Sequence, residues 1–218
     1  MSLTLAARLR SETSALHRQV ESTLFMQHLL RDRLDRRGYC LHLRNLEPVY
    51  SELEKGLERH AGNEDVAPVY FPNMFRTLPL QQDLQALHGV TWPQDFEVLP
   101  STLTYAARLR ELSASAPVLL SAHAYVRYLG DLSGGQMLRN IVVRSLQLPP
   151  QGGGTAFYEF GEPPEVARLA QTLRAGLDQV TRDKAASDAV VAEALWAFEM
   201  HEKLFDELSQ ALALTPLQ

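Results

Sequence analysis

Tyr125-Val126-Arg127-Tyr128-Leu129-Gly130-Asp131-Leu132-Ser133-Gly134-Gly135-Gln136 lies inside a run, 117–147, whose residues otherwise suit a helix. Three glycines within six positions should each weaken that helix by roughly 1 kcal/mol relative to alanine, so a kinked helix is expected. At helical spacing Gly130 and Gly134 share a face, where absent side chains let a backbone approach something flat or bulky. From the glycines alone, close packing of two helices is the favoured reading. Asp131 weighs against packing alone, because an acid sharing a face with Gly134, Gly135 and Arg127 suits a dry apolar contact poorly. A phosphate loop is excluded, since no strand precedes the glycines and no Lys-Ser or Lys-Thr follows them.

On either side of this stretch apolar residues recur at helical spacing, as in Leu5, Leu9, Leu16 and Val20, then Leu41, Leu46, Val49, Leu53 and Leu57. Breakers divide the chain into helices expected near 3–22, 23–31, 37–60, 73–88, 101–115, 117–147, 164–183 and 187–213. No strand pattern competes and no sequence recurs at a fixed period, so the expected fold is all-α, one compact domain over 1–218 rather than a solenoid. Of the connections, 61–72, 89–100 and 148–164, only the last, with Pro149-Pro150 and Gly152-Gly153-Gly154, reads as flexible.

Hydrophobic residues at 45% and charged residues at 22% fall in the globular range, far from the disordered one. A single cysteine, Cys40, excludes an intrachain disulfide and thiolate-cluster metal sites, which leads to the expectation of a reducing, cytoplasmic location. The first ten residues lack the apolar stretch of a secretory signal, and no run is long enough to span a membrane. The net charge is −5, yet residues 1–44 hold eight arginines against four acids, a local +4 that leaves −9 for the remainder. Overall acidity argues against nucleic acid, while the basic end suits an anionic ligand or an acidic partner.

Among seven histidines none has zinc-protease spacing, and no glutamate is followed by a histidine three residues later, as a di-iron bundle would require. His17 has the most telling context. It falls beside Thr13, Leu16 and Val20 on what reads as the inner face of the first helix, with Glu21 one turn on. A carboxylate at that spacing can receive one ring N–H and make the other nitrogen a better metal ligand. A solvent-exposed His–Glu helix pair accounts for the same spacing.

The glycine-bearing stretch resembles the distal-helix motif of the haem (heme) oxygenase family, departing from animal members at Val126, where they have threonine. Leu16-His17 through Glu21, Phe25-Met26, Ala67 to Pro72, and Phe198 through Phe205-Asp206-Glu207-Leu208 are similar in the same order, and together these span about nine-tenths of the chain. The resemblance implies an all-helical domain that sandwiches haem between a proximal helix carrying His17 and a kinked distal helix. It implies His17 as axial iron ligand with Glu21 behind it, and Gly130, Ser133 and Gly134 against the distal haem face. Asp131 would organise distal water, with Tyr50 and Arg127 as polar partners, and Tyr125 and Phe198 would border the pocket. Arg10 and Arg174 would meet the haem propionates, although Ser14 and Ala170 stand where animal enzymes have lysines.

The implied activity is oxidative opening of haem, both substrate and cofactor, to biliverdin, carbon monoxide and ferrous iron with molecular oxygen, expected at the alpha-meso carbon. The family's chemistry needs proton delivery through ordered water without an acid placed to drive O–O scission. No nicotinamide or flavin fingerprint is visible, so electrons are expected from a separate ferredoxin or NAD(P)H-dependent reductase, drawn to a rim formed by Arg8, Arg10, Arg18 and Arg44. The alternatives are a haem-binding or haem-trafficking protein of the same fold without turnover, and a helical hydrolase of the thiaminase type. The latter lacks an identified histidine partner for Cys40.

Overall fold

The computed structural model describes residues 3–149, 152–180 and 183–217. Met1, Pro150 and Gln218 lie outside the described residues, as does the stretch 181–182 inside the expected helix 164–183. Among the described residues ten α-helices follow in chain order: α1 (Leu5–Glu21), α2 (Leu24–Leu30), α3 (Arg36–Arg59), α4 (Thr77–His88), α5 (Trp92–Asp95), α6 (Pro100–Ser115), α7 (Leu120–Ala124), α8 (Gly130–Ser145), α9 (Pro163–Val180) and α10 (Lys184–Ala211). Among the described residues there is no strand, which agrees with the all-α expectation. No helix among them is long and apolar enough to cross a membrane.

Local chemistry sets several boundaries. The Asp35 carboxylate accepts from Gly38 N at 2.7 Å and Asp183 from Ala186 N at 2.8 Å, satisfying backbone donors that the first turn of α3 or α10 leaves over. Pro100 opens α6 where its missing N–H costs nothing, and Gly89, at φ 102°, ends α4 in a backbone region that favours glycine. The α3 helix forms the centre of the core. Its Leu43, Leu46, Val49, Tyr50, Leu53 and Leu57 are buried, and it packs against α4 and α6 while α1 lies along α10.

Three expectations are corrected. The helix expected at 73–88 begins at Thr77, because Pro72–Met74 form a separate 3-10 turn, and the 89–100 connection contains the short α5. The helix expected at 117–147 starts as a 3-10 turn, becomes α7, and widens into a π-helical turn over Tyr125–Leu129 before α8. Its irregularity is thus a π turn that ends where the glycines begin, a form of helix distortion often found at functional sites.

The 148–164 connection is pinned in its second half. Asp83 on α4 accepts from Ala156 N and Phe157 N, both at 2.8 Å, and Phe157, Tyr158 and Phe160 are buried. Gly153 and Gly154 have φ of 70° and 97°, and a Cβ on Gly154 would come within 2.7 Å of Leu87. Those two glycines serve backbone conformation and close approach.

Candidate functional site

The π turn and the start of α8 carry a buried polar cluster. Tyr50, on the central helix α3, donates its hydroxyl to Asp131 Oδ2 in a short hydrogen bond. Arg127 donates to the same Tyr50 oxygen through Nε at 3.0 Å and Nη2 at 2.9 Å. Asp131 Oδ1 lies 3.8 Å from Arg127 Nη2, beyond hydrogen-bond range. Burial pushes the Asp131 carboxyl up from its ordinary value, against the pull of the Arg127 charge and the Tyr50 hydroxyl. Burial and the neighbouring Asp131 hold the Tyr50 hydroxyl well above its own ordinary value, so it stays protonated as a donor. The widened turn brings Arg127 and Asp131 inward together to Tyr50.

The glycines divide between two tasks. A Cβ built on Gly130 or on Gly134 would meet nothing within 4 Å, whereas one on Gly135 would touch the Tyr158 ring at 3.4 Å. Both readings of the glycines therefore hold, each for different residues: Gly135 allows close packing, while Gly130 and Gly134 present bare backbone to open space. Gly135 lies on the packed side over Tyr158, whose hydroxyl is also acted on by Asp131, and Gly134 on the open side. Ser133 is exposed beside Gly134.

The first two helices meet this segment at two places. The Tyr125 hydroxyl lies 3.1 Å from that of Thr13 on α1, and Arg144 near the end of α8 pairs with Asp32 after α2 at 2.7 Å. Gly130 and Gly134 fall in sequence between these two ties. His17 is one turn beyond Thr13 on α1. Its side chain is 52% exposed rather than on the buried inner face, where Leu16 and Val20 pack against the core. Its Nδ1 sits 3.4 Å from Glu21 Oε2, which leaves Nε2 as the ring nitrogen directed elsewhere. Phe198 on α10 is buried and meets the His17 ring edge-on at 5.9 Å.

Arg10 and Arg174 are exposed, on α1 and α9, and both act electrostatically on the half-buried Tyr125 hydroxyl. The structure thus pairs His17 with Phe198 and Tyr125 with Thr13 one turn earlier on α1, and gathers Asp131, Arg127 and Tyr50 into a second group, with the open face of Gly130 and Gly134 on the helix that carries Asp131. These residues suit a flat, anionic, iron-bearing ring. An imidazole nitrogen is available, bare backbone at Gly130 and Gly134 could lie against a flat ring, and two guanidinium groups act on the Tyr125 hydroxyl.

A family model described as Heme oxygenase matches residues 3–207. The chain belongs to the haem oxygenase family. It is 38% identical over 208 residues to Heme oxygenase 1 of Nostoc sp., covering 95% of this chain and 87% of the relative. It is 36% identical over 209 residues to human Heme oxygenase 1, covering 95% and 73%. Its fold matches that of a heme oxygenase from Synechocystis sp. solved in complex with heme and NO, with a TM-score of 0.91, 38% identity and coverage of 96% of this chain and 86% of the other. The heme oxygenase of Leptospira interrogans matches with a TM-score of 0.88 and 36% identity, covering 94% and 100%. This haem oxygenase is accordingly an enzyme, which sets aside both the non-catalytic and the hydrolase alternatives. Cys40 is buried, and burial raises its thiol to about 11, so it offers no thiolate at neutral pH.

Sequence reasoning missed His201. On α10, one turn from Phe198, it is buried against Arg127, and its Nε2 makes a short contact with Arg127 Nη1. The three-residue spacing from Phe198 was the available signal, since it puts both residues on one helix face.

Proposed function

We propose that this haem oxygenase seats haem between α1 and the start of α8, with His17 Nε2 on the iron, and opens it at the alpha-meso carbon. The observation that carries the reading is the pairing of His17 Nδ1 with Glu21 on the same chain as the bare faces of Gly130 and Gly134. Glu21 selects the tautomer in which Nδ1 bears the proton, and Nε2 is then the metal-binding nitrogen. Phe198 restricts rotation of the imidazole from the α10 side. Arg10 and Arg174 hold the propionates at the Tyr125 edge, and with the lysine positions filled by Ser14 and Ala170 these two arginines choose the rotational seating of the ring.

When bound, haem supplies the iron at which oxygen is reduced and the meso carbon that is attacked. The chain manages protons. Asp131 Oδ2 accepts from Tyr50, which leaves Oδ1 to hold water facing the ligand. The Tyr50–Arg127 pair keeps that carboxyl fixed, so no acid is placed to drive O–O scission directly. Electrons come from an external ferredoxin or NAD(P)H-dependent reductase, and the lone, buried cysteine suits a cytoplasmic setting. Residues 1–218 act as one domain.

Replacing His17 by Ala tests the ligand. The variant should fold, lose the histidine-ligated absorption spectrum and most ring opening, and recover part of both with added imidazole. An unchanged spectrum and rate would rule out His17.

A further inference from the structure

Arg127 is gripped from two sides. Its Nε and Nη2 donate to Tyr50, and its Nη1 meets His201 Nε2 on α10. His201 is buried with the rings of Tyr105 and Phe205 edge-on at 6.2 Å and 5.5 Å, and His42 of α3 acts on its charge. Burial first, then the Arg127 charge, holds its imidazole well below the ordinary histidine range, so the ring is neutral and can accept a proton from a donor. Arg127 Nη1 lies within hydrogen-bond range of both ring nitrogens, 3.2 Å from Nδ1 and closer to Nε2.

We propose that His201 is a positioning residue for ring opening: by accepting from Arg127 through Nε2 it keeps that guanidinium on Tyr50, and thereby keeps Asp131 Oδ1 free to hold water. Without this acceptor a buried N–H of Arg127 is left unpaired, which is costly. The nearest remedy is Asp131 Oδ1, only 3.8 Å from Nη2. A small rotation of the guanidinium would convert that separation into a direct ion pair and occupy the carboxylate oxygen that faces the ligand. This inference rests on the reading above that Asp131 serves the haem face, but the contact between His201 and Arg127 is testable without haem.

Nitrogen-15 NMR of the haem-free chain should show His201 neutral between pH 5 and 8. Protonation in that range would leave the ring without an acceptor and overturn the clamp whatever the role of Asp131. In the haem complex, His201→Leu should bind haem within about twofold of wild type and keep its ligation spectrum. Its single-turnover ring opening should slow several-fold, and the ferric complex's acid–alkaline transition should shift. His201→Gln, whose amide oxygen reaches about as far as Nε2, should restore most of both properties, whereas a merely structural role would not distinguish Gln from Leu by their spectra. Wild-type turnover in His201→Leu would overturn the proposal, as would equal defects in the two variants. Should His201→Leu fail to fold, His201→Gln decides alone: near-wild-type turnover and transition support the clamp, and loss of both overturns it.

Discussion

Asp131 is a carboxyl whose ionisation is set by two opposed influences, burial that raises it and the Arg127 charge with the Tyr50 hydroxyl donor that lower it. Removing the Tyr50 hydroxyl tips that balance further towards the neutral acid. We expect Tyr50→Phe to fold, to bind haem normally and to open it several-fold more slowly. The pH at which its single-turnover rate changes should be displaced upward, because a lost donor to the ionised form favours protonation. A rate and pH profile like those of wild type would show that the hydroxyl does not act on Asp131. At this scale the sequence was informative wherever a motif held the residues together, as it did for Arg127 and Asp131. It was silent on His201, whose partner is 74 positions away and whose contact depends on how α10 lies against the π turn. It also misjudged His17, since helical periodicity cannot distinguish a face buried in the core from one turned to a cleft.

The distal segment owes its shape to an element that no residue in it announces. Tyr125–Leu129 are ordinary helix formers, and the extra residue per turn is imposed by the inward grip on Arg127 and by Tyr125 at Thr13. The glycines, by contrast, were legible as a weakness in the helix, and their two roles separate by experiment. Gly134→Ala adds a methyl group that meets nothing in the chain, so the haem-free protein should gain up to about 1 kcal/mol from helix propensity. Haem affinity or ring opening should nevertheless fall, which chemical denaturation and a haem titration would show together. A variant neutral in both would mean the open face is not reserved for a ligand.

The second half of the connection after α8 is pinned in a way its Pro and Gly content does not announce. Two backbone donors end on Asp83, so Asp83→Ala should cost about 2–4 kcal/mol in urea denaturation by leaving them unpaired. A loss under about 0.5 kcal/mol would mean that this segment is held by its aromatic residues alone.

Over the whole molecule, the all-α single domain was readable from periodicity and breakers, because nearly every helix buries one stripe in a core centred on α3. Buried titratable groups make its stability depend on pH in ways that composition hides. Burial and the Arg127 charge lower His42 to about 3, while an unfolded chain takes up that proton near the ordinary value of 6.5. The unfolded state then binds more protons through that window, and stability falls as pH drops from about 6.5 towards 3. Asp83, raised to about 6 by burial, acts oppositely between about 4 and 6, since its native form holds a proton that the unfolded chain has released. His42→Leu should therefore make the acid-side loss of stability shallower, measured as the midpoint of thermal unfolding from pH 7 to 4. An unaltered slope would show that His42 does not contribute.

The positive rim is smaller than the sequence suggested. Arg8 is paired with Asp188 at 2.7 Å, and Arg44 lies over Trp92 and pairs with Glu47. Arg10 and Arg18, both exposed, remain the candidates for steering an acidic donor. Electron transfer from a ferredoxin-type protein should slow with added salt and in Arg18→Glu, while a small neutral reductant should respond much less. Equal responses would remove the docking role.

The central claim is that haem sits on His17 with its propionates held by Arg10 and Arg174 and its alpha-meso carbon presented to the water held by Asp131. It is tested most directly by separating the biliverdin isomers formed when the purified chain, loaded with one equivalent of haem, turns over with oxygen and a reductase. The account predicts predominantly the alpha isomer with one carbon monoxide released per haem, and a mixture of isomers when Arg10 and Arg174 are both replaced by Ala. A wild-type product dominated by the beta or delta isomer would contradict it.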